Sequence, residues 1–428
     1  MRWSVITASL CVIGLGLIFH ANSAQAALED ILYEKGQITK EEWIKAKAES
    51  EKAAEQEHKK LDQEFPISVH YKDGFDIQTR DGKFEMLIQS RVQLRYSYNQ
   101  EGDSLAPASL TSFDDKRDSS FRVRRARIKV GGHGYVPWLK YYFEHDWVSN
   151  TLLDWRVDVA RFKWATLRVG QWKIDYNRER VDSSGAQQFV ERSIVNAPFT
   201  LDRQIGARLG GHFFEGTHAY LVYNIGVFSG TGINQTRNDD KKMLYMGRIQ
   251  WNFMGRDLPF SQSDIEYTEQ PTGSIAFAGA HNRSDRFNFP TETRSVGVVD
   301  GQFEINQGVQ EFAFKWNGLS IQEEFHVKRV TNRSTSLRTT SFGSYAQVGY
   351  FPHALIGFIP RPLEFAYRYA FVDPDDSVGS DVRREHTVAA NWFFAGHRNK
   401  ITVDYSHLTQ AGGFTPVDRV RLQWDISF

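Results

Sequence analysis

The chain is predicted to be all-β: a transmembrane antiparallel barrel of sixteen strands, preceded by a short periplasmic helical segment. Three observations carry this expectation. The last eleven residues alternate strictly, with Val420, Leu422, Trp424, Ile426 and Phe428 on one face and Arg419, Arg421, Gln423, Asp425 and Ser427 on the other. That is a strand with lipid on one side and water on the other, ending on an aromatic. Segments of this kind recur in an even number, and long and short connections alternate between them. Beyond the N-terminal run, no stretch supplies the roughly 18 consecutive apolar residues of a membrane helix. A closed barrel, in which every backbone group is paired, is then the remaining way to cross a bilayer.

The first element is an export signal. Arg2 gives a positive start, Val5 to Phe19 is an apolar run, and Asn22 to Ala26 places Ala24 and Ala26 in an A-x-A cleavage site. A membrane anchor is the alternative, but the run is short and lacks a basic stop-transfer cluster. Residues 1–26 are therefore expected to be removed, leaving Ala27 first. Cys11 is the only cysteine, and Leu10 is too large for the residue before a lipidated cysteine, so the mature chain is expected to carry neither lipid nor disulfide. Losing Arg2 leaves 51 basic against 52 acidic residues. Such a balance gives no footing for nucleic acid as the main partner.

Residues 27–65 form a Glu-, Lys- and Ala-rich leader. Thr39 and Glu42 fit a capping box after Gly36. Leu28, Ile31, Leu32, Ile38, Trp43 and Ile44 line one face of two expected short helices, and the apolar face thins to alanines after Ala48. Two readings stand: a solvated leader, or a periplasmic coiled-coil arm that helps assemble an oligomer. Pro66 closes the segment, and 66–428 is the barrel.

Apolar alternation between turn signals places strands at 84–98, 120–133, 138–147, 154–164, 165–174, 203–214, 217–228, 242–253, 272–281, 309–317, 318–330, 341–352, 362–372, 384–394, 399–409 and 418–428. Outer loops then fall near 99–119, 148–153, 175–202, 229–241, 282–308, 331–340, 373–383 and 410–417. Inner turns are mostly short, such as Asn317-Gly318, although 254–271 and 352–361 are long. In the second strand, Phe121 and Val123 share one phase and Ala126, Ile128 and Val130 the other. A bulge near Arg124-Arg125 reconciles them.

A barrel of this size is expected to enclose an aqueous channel, so function should lie on inward faces and in loops that narrow the bore. The inward phase holds Arg91, Arg95, Arg122, Arg125, Arg127, Lys129, Arg168, Arg208, Arg248, Lys315, Lys328, Arg368, Arg419 and Arg421. Its acids include Glu85, Glu144, Asp146, Asp158, Glu311, Glu324, Glu364, Asp404 and Asp425. Closure sets the last strand beside the first, so Arg91, Arg95, Arg125, Arg127, Arg419 and Arg421 form one basic wall. Either these arginines pair with nearby acids and hold the wall in shape, or they replace part of an anion's hydration shell along an anion path.

FRVRRARIKVGG, LRVGQWKIDYNRE and FVERSIVNAPFTLDRQIGARLGG resemble the phosphate-selective porin O and P family. The matching elements are Arg124–Arg127, Val169–Lys173, Glu191–Ser193 and Arg203–Gly211, and the resemblance spans roughly Lys72 to Phe428. It implies a sixteen-stranded, usually trimeric outer-membrane channel whose loops fold into the bore, with phosphate or polyphosphate as the best-known solutes. It also makes 175–202 the constriction loop, with Arg178, Arg180, Glu191, Arg192 and Ser193 as its candidate residues. Glu191 and Arg192 read as a loop brace rather than a ligand pair.

The expected function is passive diffusion of small hydrophilic solutes, biased toward anions, by a homotrimer in outer-membrane lipid. The alternative is a non-selective or structural and adhesive barrel. An enzyme is not expected: no G-x-S-x-G elbow is present. The 13 histidines form no H-E-x-x-H or tight ligand cluster, so neither cofactor nor metal is expected.

Overall fold

The computed structural model describes residues 30, 32–33, 35–64, 67–71, 73–98, 119–286, 288–289, 302–412 and 415–428. The expected signal segment 1–26 and most of the expected first outer loop lie outside these. Two units divide the chain, Met1–Ser68 and Val69–Phe428.

In the first unit the capping box forms. The Thr39 amide donates to Glu42 Oε2 at 2.8 Å, and the Glu42 amide donates to Thr39 Oγ1 at 3.3 Å. Trp43 Nε1 donates to Asp30 at 2.9 Å, and its ring stacks on Tyr33. Asp30, Leu32 and Tyr33 are helical, and after the turn at Gly36 a second helix runs from Lys40 to Glu64, longer than the short one expected. The thinning apolar face does not end it, because Ala, Glu, Lys and Gln are strong helix formers without tertiary help.

The second unit is a closed antiparallel barrel. Its strands are β1 (Phe84–Tyr98), β2 (Ser119–Gly134), β3 (Val136–Asp146), β4 (Thr151–Phe162), β5 (Ala165–Lys173), β6 (Arg203–Phe213), β7 (Tyr220–Phe228) and β8 (Leu244–Asn252). They continue as β9 (Thr272–Ser284), β10 (Phe303–Trp316), β11 (Leu319–Asn332), β12 (Arg338–Tyr350), β13 (Leu363–Asp373), β14 (Arg383–Phe393), β15 (Asn399–Gln410) and β16 (Val417–Ser427). All sixteen expected segments are present. The largest boundary change extends β9 and β10 outward, so their connection shrinks from 282–308 to 285–302. A short strand, Phe75–Thr79, also pairs with the start of β1.

Closure is made by β16 on β1, from Val420 opposite Tyr98 to Ser427 opposite Arg91. Phe428 continues the ladder, exchanging both backbone hydrogen bonds with Ser90 at 2.9 Å. The terminal aromatic is thus pinned at the seam. Asn317 and Gly318 turn β10 into β11 with φ of 47° and 81°, the left-handed pair of a tight hairpin. The expected bulge in β2 appears: Gln93 faces Arg125 and Leu94 faces Val123, leaving Arg124 extra. The outward face carries exposed aromatics at both rims, including Trp251, Trp316 and Trp424 at the end holding the barrel's termini. No described helix is long and apolar enough to cross a membrane.

The bore departs from a simple water-filled tube. The connection 174–202 folds inward and packs on the wall through apolar side chains. Ile194, Val195 and Phe199 cluster with Tyr345, Ala370, Val372, Leu408 and Val417. Ile174, Tyr176 and Leu201 join Trp172, Phe228, Leu244, Met246 and Val309. Each large side chain buried this way contributes about 1.5–3 kcal/mol. Wall glycines make room: a Cβ at Gly343 would stand 2.4 Å from the Phe199 ring, and one at Gly349 would stand 1.7 Å from the Gln188 amide. Much of this bore is a packed core, because apolar residues occupy inward positions that a wide channel would keep polar.

The constriction loop and the charged bore

The loop leaves β5 and returns to β6 with its stem closed by an Ile174 amide to Asp202 carbonyl bond of 2.8 Å. Two four-residue helices, Arg178–Val181 and Asn196–Phe199, shape it. Its own backbone donors are satisfied by acids of the far wall. The Glu179 amide donates to Glu324 at 2.6 Å, Val190 to Asp404 at 3.0 Å, and Ile194 to Glu385 at 2.9 Å. These wall carboxylates fix the loop's position across the bore.

Glu191 is the hub of the opposite side. Its carboxylate lies 2.8 Å from Arg95, 2.9 Å from Arg124 and 3.2 Å from Arg125. The β2 bulge makes this possible, since two successive arginines reach one acceptor only where the alternation slips. Arg192 donates to the carbonyls of Glu179 and Asp182 at 2.8 and 2.7 Å, and Ser193 bonds Glu179 through its amide and hydroxyl. Arg192 and Ser193 therefore stitch the loop to itself, while Glu191 ties it to the wall. Arg180 is paired with Asp202, its Nε at 2.6 Å. Arg178 instead donates to the Pro259 carbonyl and lies over the Phe260 ring.

Pro259 and Phe260 belong to the long connection 253–271, which folds into the bore from the other end. The Gln262 amide donates to the Ala186 carbonyl at 3.0 Å, and Gln262 Oε1 accepts from the Gln188 amide at 2.9 Å. Ser263 bonds Glu364 at 2.9 Å, and Lys315 bonds Ser261 and the Ser263 carbonyl at 2.7 and 2.8 Å. Two connections from opposite ends thus meet at Ala186–Gln188. The only sequence signal for the second was its unusual length for an inner turn.

The remaining expected arginines are mostly matched with acids. Arg127 meets Glu144 and Asp146 at 3.0 and 2.8 Å, Arg168 meets Asp158 at 2.6 Å, and Arg208 meets Asp175 at 3.3 Å. Arg248 and Arg421 each hold a carboxylate at 2.6 Å, Glu311 and Asp404 respectively, and Arg419 donates to Ser406 at 3.3 Å. Register does assemble the basic wall, with Arg91 opposite Arg127 and Arg125 opposite Gln93. Most of its charge is balanced locally. Asp154, which holds Arg203 at 2.6 Å, and Glu385, which holds Arg368 at 2.5 Å, were not among the expected inward acids. Their strand phase was the available signal.

Arg91 and Lys129 differ. Arg91 donates to the hydroxyls of Ser183 and Ser184 at 3.0 and 2.7 Å, and no described carboxylate lies within ion-pair distance of it. Lys129 forms no hydrogen bond or ion pair with a described residue. Both line a cavity of about 580 Å³ that also contains Ser183, Gly185 and His397. Among the described residues no group of three or more His, Cys, Asp or Glu is arranged to hold a metal.

At the other mouth, two loops are joined by acids. Asp239 Oδ2 accepts from Ser284 Oγ at 2.7 Å and from the Asp285 amide at 2.8 Å. Burial pushes the Asp285 carboxyl up to about 6, reinforced by Asp239 and opposed by Arg286. A raised carboxyl stabilises this contact fully below the usual aspartate range and loses it as pH rises through about 6. Neighbouring Arg283–Asp240 is an ion pair at 3.2 Å. A spin label at Asn238→Cys should gain mobility between pH 5 and pH 8, and Asp285→Asn should abolish the change. Equal mobility at both pH values would refute the latch.

A closed sixteen-stranded barrel with aromatic rims and a charged loop folded into its bore defines an outer-membrane porin, a channel for small solutes. The family model of phosphate-selective porin O and P matches residues 107–421, and the chain belongs to this family. Among solved structures, the anion-selective porin from Comamonas acidovorans matches with a TM-score of 0.51 at 10% identity, covering 80% of this chain and 99% of its own. A loop-deletion mutant of OmpT from Vibrio cholerae gives 0.52 at 8%, covering 81% and 100%. OmpF of Salmonella typhi, in complex with daunomycin, gives 0.51 at 11%, covering 84% and 100%. These distant likenesses establish the fold. A search of curated protein sequences finds no match.

Proposed function

We propose that this porin passes small hydrophilic anions, phosphate and polyphosphate among them, in preference to cations, and that it works as a homotrimer without catalytic activity. The observation that carries the reading is the pair Arg91 and Lys129, two bore cations that line the cavity of about 580 Å³ and form no ion pair with a described carboxylate. A guanidinium and an ammonium held this way offer N–H donors to a passing oxyanion and repel cations. The other basic residues support the path differently: Arg95, Arg125, Arg127, Arg168, Arg208, Arg248, Arg419 and Arg421 shape the wall with their acid and amide partners. A second reading, a non-selective pore, is favoured by Glu191, which offsets part of the charge of the arginine cluster at mid-bore.

Reversal potential in a KCl gradient separates the two. Arg91→Ala with Lys129→Ala is expected to lower the anion-to-cation permeability ratio at least about threefold and to weaken block by phosphate. Arg248→Gln, whose charge is balanced by Glu311, should change it much less. Cation preference in the unaltered channel, or no change in the double variant, would sink the proposal.

A further inference from the structure

The outward wall of β9 to β12 differs between its two ends. Near the end that holds the termini it presents Phe314, Trp316, Ile321 and Val348, and no outward Lys, Arg or His. The opposite end, where the long connections place the cell exterior, is cationic. On β11, His326 and Lys328 are buried in the bore, so Arg329 points outward, where it is exposed. Register sets it in a polar row across four strands: His281 opposite Asn306, Asn306 opposite Arg329, and Arg329 opposite Thr340. One step farther out, exposed Arg338 stands opposite Thr331. Arg329 and Arg338 are thus diagonal neighbours on one face, about 7–8 Å apart at the backbone, within reach of a shared ligand.

This cluster offers donors. Neither arginine forms an ion pair with a described residue. The nearby acids are committed elsewhere, Glu304 to Arg333 at 3.0 Å and Asp240 to Arg283 at 3.2 Å. His281 Nδ1 and Asn306 Oδ1 lie 2.9 Å apart, which leaves Asn306 Nδ2 without a described acceptor. Directly toward the membrane centre the next row is apolar and partly bare, with Gly279 opposite Gly308, Gly308 opposite Val327 and Val327 opposite Phe342. A Cβ on Gly279 or Gly308 would meet nothing closer than 3.6 Å, so close backbone packing does not require these glycines. They leave a shallow track beside Val327 and the stacked rings of Phe325 and Phe342, 6.4 Å apart.

We propose that the outer edge of β9–β12 binds the phosphorylated glycolipid of the outer leaflet, with a phosphate on Arg329 and Arg338 and an acyl chain along Gly279 and Gly308. Guanidinium forks match phosphate oxygens in charge and geometry. A basic cluster beside apolar wall is the arrangement that holds an anionic headgroup while its tail stays in the bilayer. The asymmetry selects the leaflet, because the other end of the same wall has no cation to offer. This inference rests on the outer-membrane location and is independent of which solute the bore prefers.

Native mass spectrometry of the purified full chain, incubated with diphosphoryl lipid A, counts the lipid retained. The unaltered protein is expected to hold lipid A at least about tenfold better than its dephosphorylated form, and Arg329→Gln with Arg338→Gln should erase that difference. Arg384→Gln, an exposed outward arginine on β14, should change nothing. Reversal potential should stay the same in the double variant, since both side chains lie outside the bore. Equal retention of the two lipids by the unaltered protein would overturn the proposal without any variant having to fold. So would undiminished retention in the double variant, or an equal loss from Arg384→Gln. Phosphatidylglycerol held as well as lipid A would show that any anionic lipid suffices and would overturn the glycolipid assignment.

Discussion

Excising residues 178–199 and joining the loop stem with a short Gly-Ser linker is expected to raise single-channel conductance at least about threefold, since a sixteen-stranded wall without an inserted loop encloses an open aqueous channel. The stem permits this, because Ile174 and Asp202 are already joined by a 2.8 Å backbone bond. The ladder is continuous around the barrel and does not pass through the loop. The excised channel should therefore still fold, as heat-modifiable migration would show, although the apolar wall left by Phe199 and Ile194 will lower its stability. Conductance within the error of the intact protein would mean that the loop does not set the bore.

Glu191→Gln should have the second-largest effect, and on selectivity rather than conductance. It removes the one carboxylate shared by Arg95, Arg124 and Arg125. Stripping one partner from such a buried network typically costs about 3–5 kcal/mol, because the remaining charges are left uncompensated. The loop keeps independent anchors, the Val190 amide on Asp404 and the Ile194 amide on Glu385. Arg368 also donates to the Glu191 backbone carbonyl at 3.1 Å, a bond that Gln retains. The expected result is a loop still in place beside three guanidiniums that have lost this shared carboxylate but keep their other partners, such as Gln423 for Arg95 and Gln93 for Arg125. The reversal potential should move several-fold toward anions, and phosphate should block at lower concentration. An unaltered reversal potential would place the cluster outside the permeation path. A conductance that rises as far as in the excised channel would mean that Glu191 alone holds the loop.

The barrel was legible because its evidence is local. Period-two alternation from Phe84 to Tyr98 and from Val417 to Ser427 belongs to each strand by itself. The bulge at Arg124 was visible too, as the place where two apolar phases disagree. The inward set was legible as a set, but its pairing was not. Arg127 meets Glu144 and Asp146 across a register that a hairpin fixes, whereas Glu191 meets Arg95 over 96 positions of sequence and Val190 meets Asp404 over 214. The apolar weld of the loop was missed for a related reason. Tyr345, Ala370 and Leu408 sit at inward positions where an aqueous bore predicts polar residues, and only the loop seated against them explains those choices.

By itself the sequence determined the strand count, the side of the wall on which each residue falls, and the loop most able to narrow the bore. Each follows from alternation and from turn chemistry, which act over a few residues. Tertiary structure alone decided which charges are neutralised, that the connection 253–271 joins the constriction, and that Arg91 and Lys129 form no ion pair with a described carboxylate. Charge pairing depends on distances of a few ångströms across the bore. Those distances are set by register, closure and loop packing together, and none of the three is encoded within a single segment.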